Sequence, residues 1–146
     1  MKKFIFFIIS VMSLFALDMT YTKAFKEYQT GQKLEKSNPA KAQLHFQKAF
    51  FLLQSLKNQR SSQVQYLLGE MYAHGLGVEQ NYTLSEKHFL EAIKLGNKRA
   101  HCCLAKVYME EGKQNLAKEQ LKYALSHPTI SNYCNNIDKT IFKEKK

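Results

Sequence analysis

The chain has 146 residues, 45% of them hydrophobic, with two prolines, six glycines and no tryptophan. That length leaves room for one compact domain or one short solenoid, and so few turn-formers exclude a turn-rich β-fold. Twenty-two basic against twelve acidic residues give a formal +10, but the lysines spread along every expected helix beside Glu or Gln, which excludes a nucleic-acid groove of clustered Lys/Arg and aromatics.

Met1-Lys2-Lys3 is a short positive lead, and Phe4 to Ala16 is an almost wholly apolar run of thirteen ended by Asp18. A membrane span needs about 20 apolar residues, so residues 1–16 read as a secretory signal peptide cleaved near Ala16. Leu14 stands where a small residue is preferred, which keeps an uncleaved anchor as the alternative. No cysteine lies near the cleavage region, so a lipoprotein signal is excluded. The expected location is periplasmic or secreted, with membrane contact only through this segment. Removing Lys2 and Lys3 leaves 20 − 12 = +8.

From Tyr21 onward apolar residues recur at helical spacing. The first predicted helix runs from Met19 to Lys36. Ser37-Asn38-Pro39 ends it and opens the next, with Asn38 as N-cap and Pro39 at the first helical position. The second helix carries Ala42, Phe46, Ala49, Phe50 and Leu53 on one stripe. The third carries Val64, Leu68, Met71 and Tyr72. The loop His74-Gly75-Leu76-Gly77-Val78 follows, its glycines free to take positive φ. Asn81 caps the fourth helix, with Leu84, Phe89, Ala92 and Ile93. Gly96-Asn97 is read as C-cap then N-cap, before a fifth helix with Ala100, Leu104, Val107 and Tyr108. The sixth shows Ala117, Leu121, Ala124 and Leu125. After Pro128, a seventh stripe of Ile130, Tyr133, Cys134, Ile137 and Ile141 closes the chain.

These helices repeat in pairs. Ala42, Phe46 and Ala49 return 43 residues later as Ser85, Phe89 and Ala92, and 32 further on as Ala117, Leu121 and Ala124. On the first helices, Gly69 and Tyr72 return 36 residues later as Ala105 and Tyr108, with Tyr28, Gly31 and Leu34 as a weaker earlier copy. Each crossing sets a small residue beside a large one, and stacked copies share one elongated core because a single pair cannot bury its own apolar face.

The middle unit, Val64 to Tyr82 with its Gly75-Leu76-Gly77-Val78 loop and Ala92-Ile93-Lys94-Leu95-Gly96-Asn97, closely resembles the Sel1-like repeat, a relative of the tetratricopeptide repeat. The resemblance is specific over residues 61–97 and looser over 21–60 and 98–126, where the loop is about five and four residues shorter. It implies an all-α fold: a right-handed α/α solenoid of about three helix pairs, residues 21–126, plus a C-terminal capping helix and basic tail, residues 127–146. It also implies a scaffold for a protein or peptide partner. The structural repeat positions are Gly31, Gly69, Tyr72, Gly75, Gly77, Ala92, Gly96, Ala105, Tyr108 and Ala124.

Matched to tetratricopeptide helices, the residues three before and one after the small residue face the groove. These are Tyr28 and Gln32, Tyr66 and Glu70, Cys102 and Lys106, with Gln63 and Arg99 upstream on the same side. Such a groove suits an extended peptide of mixed polarity.

Other chemistry is weakly represented. Gly75-Leu76-Gly77 joins two helices and lacks the Lys and Ser/Thr of a phosphate loop. The five histidines form no H-x-x-x-H or H-E-x-x-H arrangement, and His101, Cys102 and Cys103, adjacent on a helix, point about 100° apart and cannot converge on one ion. No metal or cofactor site is expected. Cys134 lies ten residues after Ala124, as Cys102 lies ten after Ala92, so in an oxidising compartment Cys134 pairs with Cys102 or Cys103 and staples the terminal helix. Three free thiols are the alternative. A cysteine-rich branch of small secreted Sel1-like proteins has been linked to penicillin binding and β-lactamase activity, but S-x-x-K, S-D-N and K-T-G are all absent here.

The reading is therefore a non-enzymatic exported scaffold in the cell envelope, binding a protein or peptide. A β-lactamase-like hydrolase and a membrane-anchored assembly factor are the alternatives. Three pairs is about the minimum for a stack, and an unfinished end leaves room for a homodimer.

Overall fold

Helix boundaries follow the capping chemistry of the chain. A computed structural model describes residues 2–134, with side chains from Asp18 onward. The helices are α1 (Lys2–Leu34), α2 (Pro39–Leu56), α3 (Ser62–His74), α4 (Tyr82–Lys94), α5 (Ala100–Glu110), α6 (Gln114–Leu125) and α7 (Pro128–Ser131), the last running into a 3-10 turn at Asn132–Cys134. Asn38 accepts from the Lys41 N–H at 3.0 Å and Asn81 from the Leu84 N–H at 2.9 Å, closing the open starts of α2 and α4. Ser61 does the same for α3 through the Val64 N–H at 3.3 Å.

Helix α1 pairs with α2, α3 with α4 and α5 with α6, while α2 packs on α3 and α4 on α5. The result is an α/α solenoid of three helix pairs, with no strand among the described residues. Gly31 and Gly69 explain how the pairs close. A Cβ on Gly31 would lie 2.6 Å from the Phe46 ring, and one on Gly69 2.7 Å from the Phe89 ring. Both rings are fully buried, a burial that stabilises by roughly 1.5–3 kcal/mol each. The third pair reaches the same contact with Ala105 and the smaller Leu121. Buried Ser85 donates its hydroxyl to the Gly69 carbonyl at 2.8 Å, so the crossing also satisfies a polar group that burial would otherwise penalise.

The Gly-x-Gly loop belongs to the seam between the first two pairs. Gly75 ends α3 in the left-handed conformation, φ 65°. Gly77, φ 71°, approaches α2 so closely that a Cβ would meet the Gln47 nitrogen and Phe46 carbonyl carbon at 2.3 Å. Gln43 of α2 holds the loop from both sides: its Nε2 donates to the Gly75 carbonyl at 3.3 Å, and its Oε1 accepts from the Gly77 N–H at 2.7 Å.

Three expectations need correcting. The first helix begins at Lys2, not Met19: no Gly or Pro interrupts residues 2–30, so Asp18 sits inside a continuous helix. Asn97 does not cap α5. Its N–H returns to the Ala92 carbonyl at 2.8 Å to finish α4 behind Gly96, φ 94°, and α5 starts at Ala100 without a side-chain cap. After Pro128 the expected long helix is, over the described residues, one α-turn and a 3-10 turn; Ile137 and Ile141 lie outside them. Among the described residues no helix is long and apolar enough to cross a membrane.

Candidate partner-binding face

The first helices of successive pairs, α3 and α5, form the walls of a cleft of about 490 Å³. Glu70, Ala73 and His74 come from α3, Cys103, Lys106, Val107, Met109 and Glu110 from α5, Gln80 from the loop that enters α4, and Tyr82 from the first position of α4. Helical spacing puts Cys103, Lys106 and Glu110 on one stripe of α5. Gln80 is fixed there by donating to the Ala73 carbonyl at 2.7 Å. Two carboxylates and an ammonium group thus surround an apolar floor of Ala73, Val107 and Met109.

At the inner edge, the Tyr66 hydroxyl meets Cys103 Sγ at 3.4 Å, and its ring lies 5.9 Å from that of Phe89. Burial, and secondarily the nearby Cys103 and Glu70, push the Tyr66 phenol far above its ordinary value. Burial, followed by Glu70, likewise raises the Cys103 thiol. Both groups are therefore neutral at physiological pH, and Cys103 lacks the thiolate a nucleophile needs. Among the described residues, no cluster of three or more His, Cys, Asp or Glu is placed to hold a metal.

The groove residues expected from sequence divide among different places. Glu70 and Lys106 share the α3–α5 cleft, with Tyr66 half-buried at its edge. Gln63 and Arg99 line another cleft, of about 460 Å³, near the starts of α3 and α5, where the Arg99 guanidinium lies 4.1 Å over the Tyr133 ring. Gln32 is exposed on α1. Tyr28 is a correction: only 5% exposed, it packs edge-on against Phe46 at 5.7 Å and belongs to the core. Cys102 is another, since it is buried and bonded to Cys134 with Cα atoms 5.3 Å apart, and Cys103 takes the groove position and stays free. One residue along a helix is a turn of about 100°, so an error of one places a side chain on the wrong face. Glu110 and Met109 were missed, though Glu110 lies four residues from Lys106 and was accessible to the same spacing argument.

A polar contact also recurs inside every pair. His45 Nδ1 meets Glu27 Oε2 at 2.6 Å, His88 Nδ1 meets Gln65 Oε1 at 2.7 Å, and His101 Nδ1 meets Gln120 Oε1 at 2.7 Å. Glu27, Gln65 and His101 each directly precede Tyr28, Tyr66 and Cys102, and His45, His88 and Gln120 each precede the large residue of the second helix. The third pair exchanges the roles of the two helices.

The sequence profile of the Sel1 repeat matches residues 23–50 and 62–97. These two segments are Sel1-like repeats. The second matched segment holds α3, the Gly-x-Gly loop and α4, and the first holds the crossing of α1 with α2. Over 78 residues, 53% of its length, the chain is 31% identical to the ERAD-associated E3 ubiquitin-protein ligase component HRD3 of Candida glabrata. The alignment spans 9% of that relative. No solved structure matches the chain. Sel1 repeats are protein-interaction scaffolds and are typically non-catalytic.

Proposed function

We propose that this protein is an exported scaffold that holds a protein or peptide partner in the cell envelope, with the α3–α5 cleft as the contact. The observation that carries the reading is the lining of that cleft, where Glu70, Lys106 and Glu110 surround Val107 and Met109. An extended peptide alternating charged and apolar side chains complements such a surface. Export is supported by the apolar segment after Lys2-Lys3 and by the Cys102–Cys134 pair, a bond that persists in oxidising compartments.

Peptides selected from a displayed random library on the intact protein test the cleft. Lys106→Glu and Glu70→Lys should each weaken the selected peptides at least about tenfold, equivalent to about 1.4 kcal/mol. Peptides indifferent to both changes would remove the cleft from the reading. Intact mass in fractions of the native host tests export separately: loss of residues 1–16 supports it, and a full-length chain in the membrane fraction favours the anchored alternative.

A further inference from the structure

A separate cleft of about 550 Å³ opens between the second helices α2 and α4 and shares no lining residue with the α3–α5 cleft. Its rim carries Lys57, Arg60 and Lys87 against one carboxylate, Glu91. Two of its lining rings, Tyr72 and His88, stack 5.5 Å apart and 8° from parallel.

The protonation pattern of His88 follows from its neighbours. Gln65, 6% exposed, donates its Nε2 to the Lys57 carbonyl at 2.7 Å, so its Oε1 must face His88. That oxygen can only accept, and at 2.7 Å it requires the hydrogen on His88 Nδ1. Nε2 is then the nitrogen that gains the proton when the ring becomes charged. In the empty cleft charging is disfavoured by burial first, then by Lys87 and Lys57. Arg60, Glu91 and Tyr72 line the same space. An anion between the lysines would cancel that repulsion and accept from Nε2–H.

We propose that this cleft binds a small ligand bearing a multiply charged oxyanion, a phosphate or polycarboxylate, gripped by Lys57, Arg60 and Lys87 and joined by protonated His88. The volume lies within the roughly 300–1,000 Å³ of small-molecule sites. Binding and His88 protonation are linked: a bound anion favours the charged imidazole and so raises the His88 midpoint.

The test follows the His88 and His101 ring signals by NMR through a pH titration of the full chain. It compares chloride with inorganic phosphate, and with citrate, at matched ionic strength, since salt alone screens the lysines. Phosphate, citrate or both should raise the His88 midpoint by about one pH unit while His101 stays in place. In Lys57→Gln/Arg60→Gln, both exposed positions, that rise should vanish relative to the variant's own chloride value. A response to citrate as well as phosphate marks a general polyanion site, and a response to phosphate alone marks a phosphate site. The proposal is overturned if neither anion exceeds chloride, if His101 moves equally, or if the double variant responds like the parent.

Discussion

Gly69 and Phe89 meet so closely that a single methyl group on the glycine would stand 2.7 Å from the aromatic ring. The third pair solves the same crossing with Ala105 against Leu121, which suggests a compensating exchange. Gly69→Ala should destabilise by about 1–3 kcal/mol through overpacking. Adding Phe89→Leu to it should cost less than adding Phe89→Leu to the parent. Urea unfolding of the four-member cycle measures the coupling, and strict additivity would mean that the ring yields freely.

Gly75 and Gly77 share the left-handed conformation but not their surroundings. A Cβ at Gly75 meets its first atom at 3.5 Å, whereas one at Gly77 meets the α2 backbone at 2.3 Å. Gly75→Ala should therefore cost only the conformational penalty of about 1 kcal/mol, and Gly77→Ala clearly more, because backbone cannot step aside. Paired chemical denaturation curves decide the order.

The Cys102–Cys134 bond closes a sequence separation of 32 residues. Chain-entropy reasoning assigns such a loop about 3–4 kcal/mol. Reductant should lower the melting temperature of the parent and leave Cys134→Ser unaffected. Under non-reducing denaturation only Cys103 should react with a thiol reagent, which mass spectrometry reads directly.

Both His88 and His101 are held below the ordinary imidazole value of 6.5, by burial first in each case. Lys87 and Lys57 add to this at His88; at His101 the Gln120 hydrogen bond opposes it and His127 adds to it. A depressed folded value means that the unfolded chain takes up protons first. The stability these rings contribute is complete above pH 6.5 and is lost as pH falls through their folded midpoints. Thermal melts over that window should show the decline, and His88→Gln with His101→Gln should flatten it.

Much of the architecture was legible because it is written locally. The recurrence of Ala42, Phe46 and Ala49 as Ser85, Phe89 and Ala92 is a helical-period signal, and Asn38-Pro39 and Asn81 are caps recognisable from residue type. The α3–α5 cleft was legible only in part. Whether Cys102 or Cys103 faces it depends on the rotation of α5, which is set by α6 and by the Cys134 tether rather than by α5 alone. Asn97 was misread because its backbone N–H found the Ala92 carbonyl, a choice that residue type does not reveal. The His–Gln and His–Glu contacts escaped because each joins residues 18 to 23 positions apart and has meaning only after the pairs are superimposed.

The grip of Gln43 on the Gly75–Gly77 loop makes the order of the units part of the design. The middle pair carries a seven-residue connection, 75–81, and the third only three residues, 111–113. A unit with the short connection placed second would leave Gln43 without its partners and open the seam along α2. These pairs are therefore not interchangeable beads, and shuffling or deleting one would break a join that its own helices do not encode.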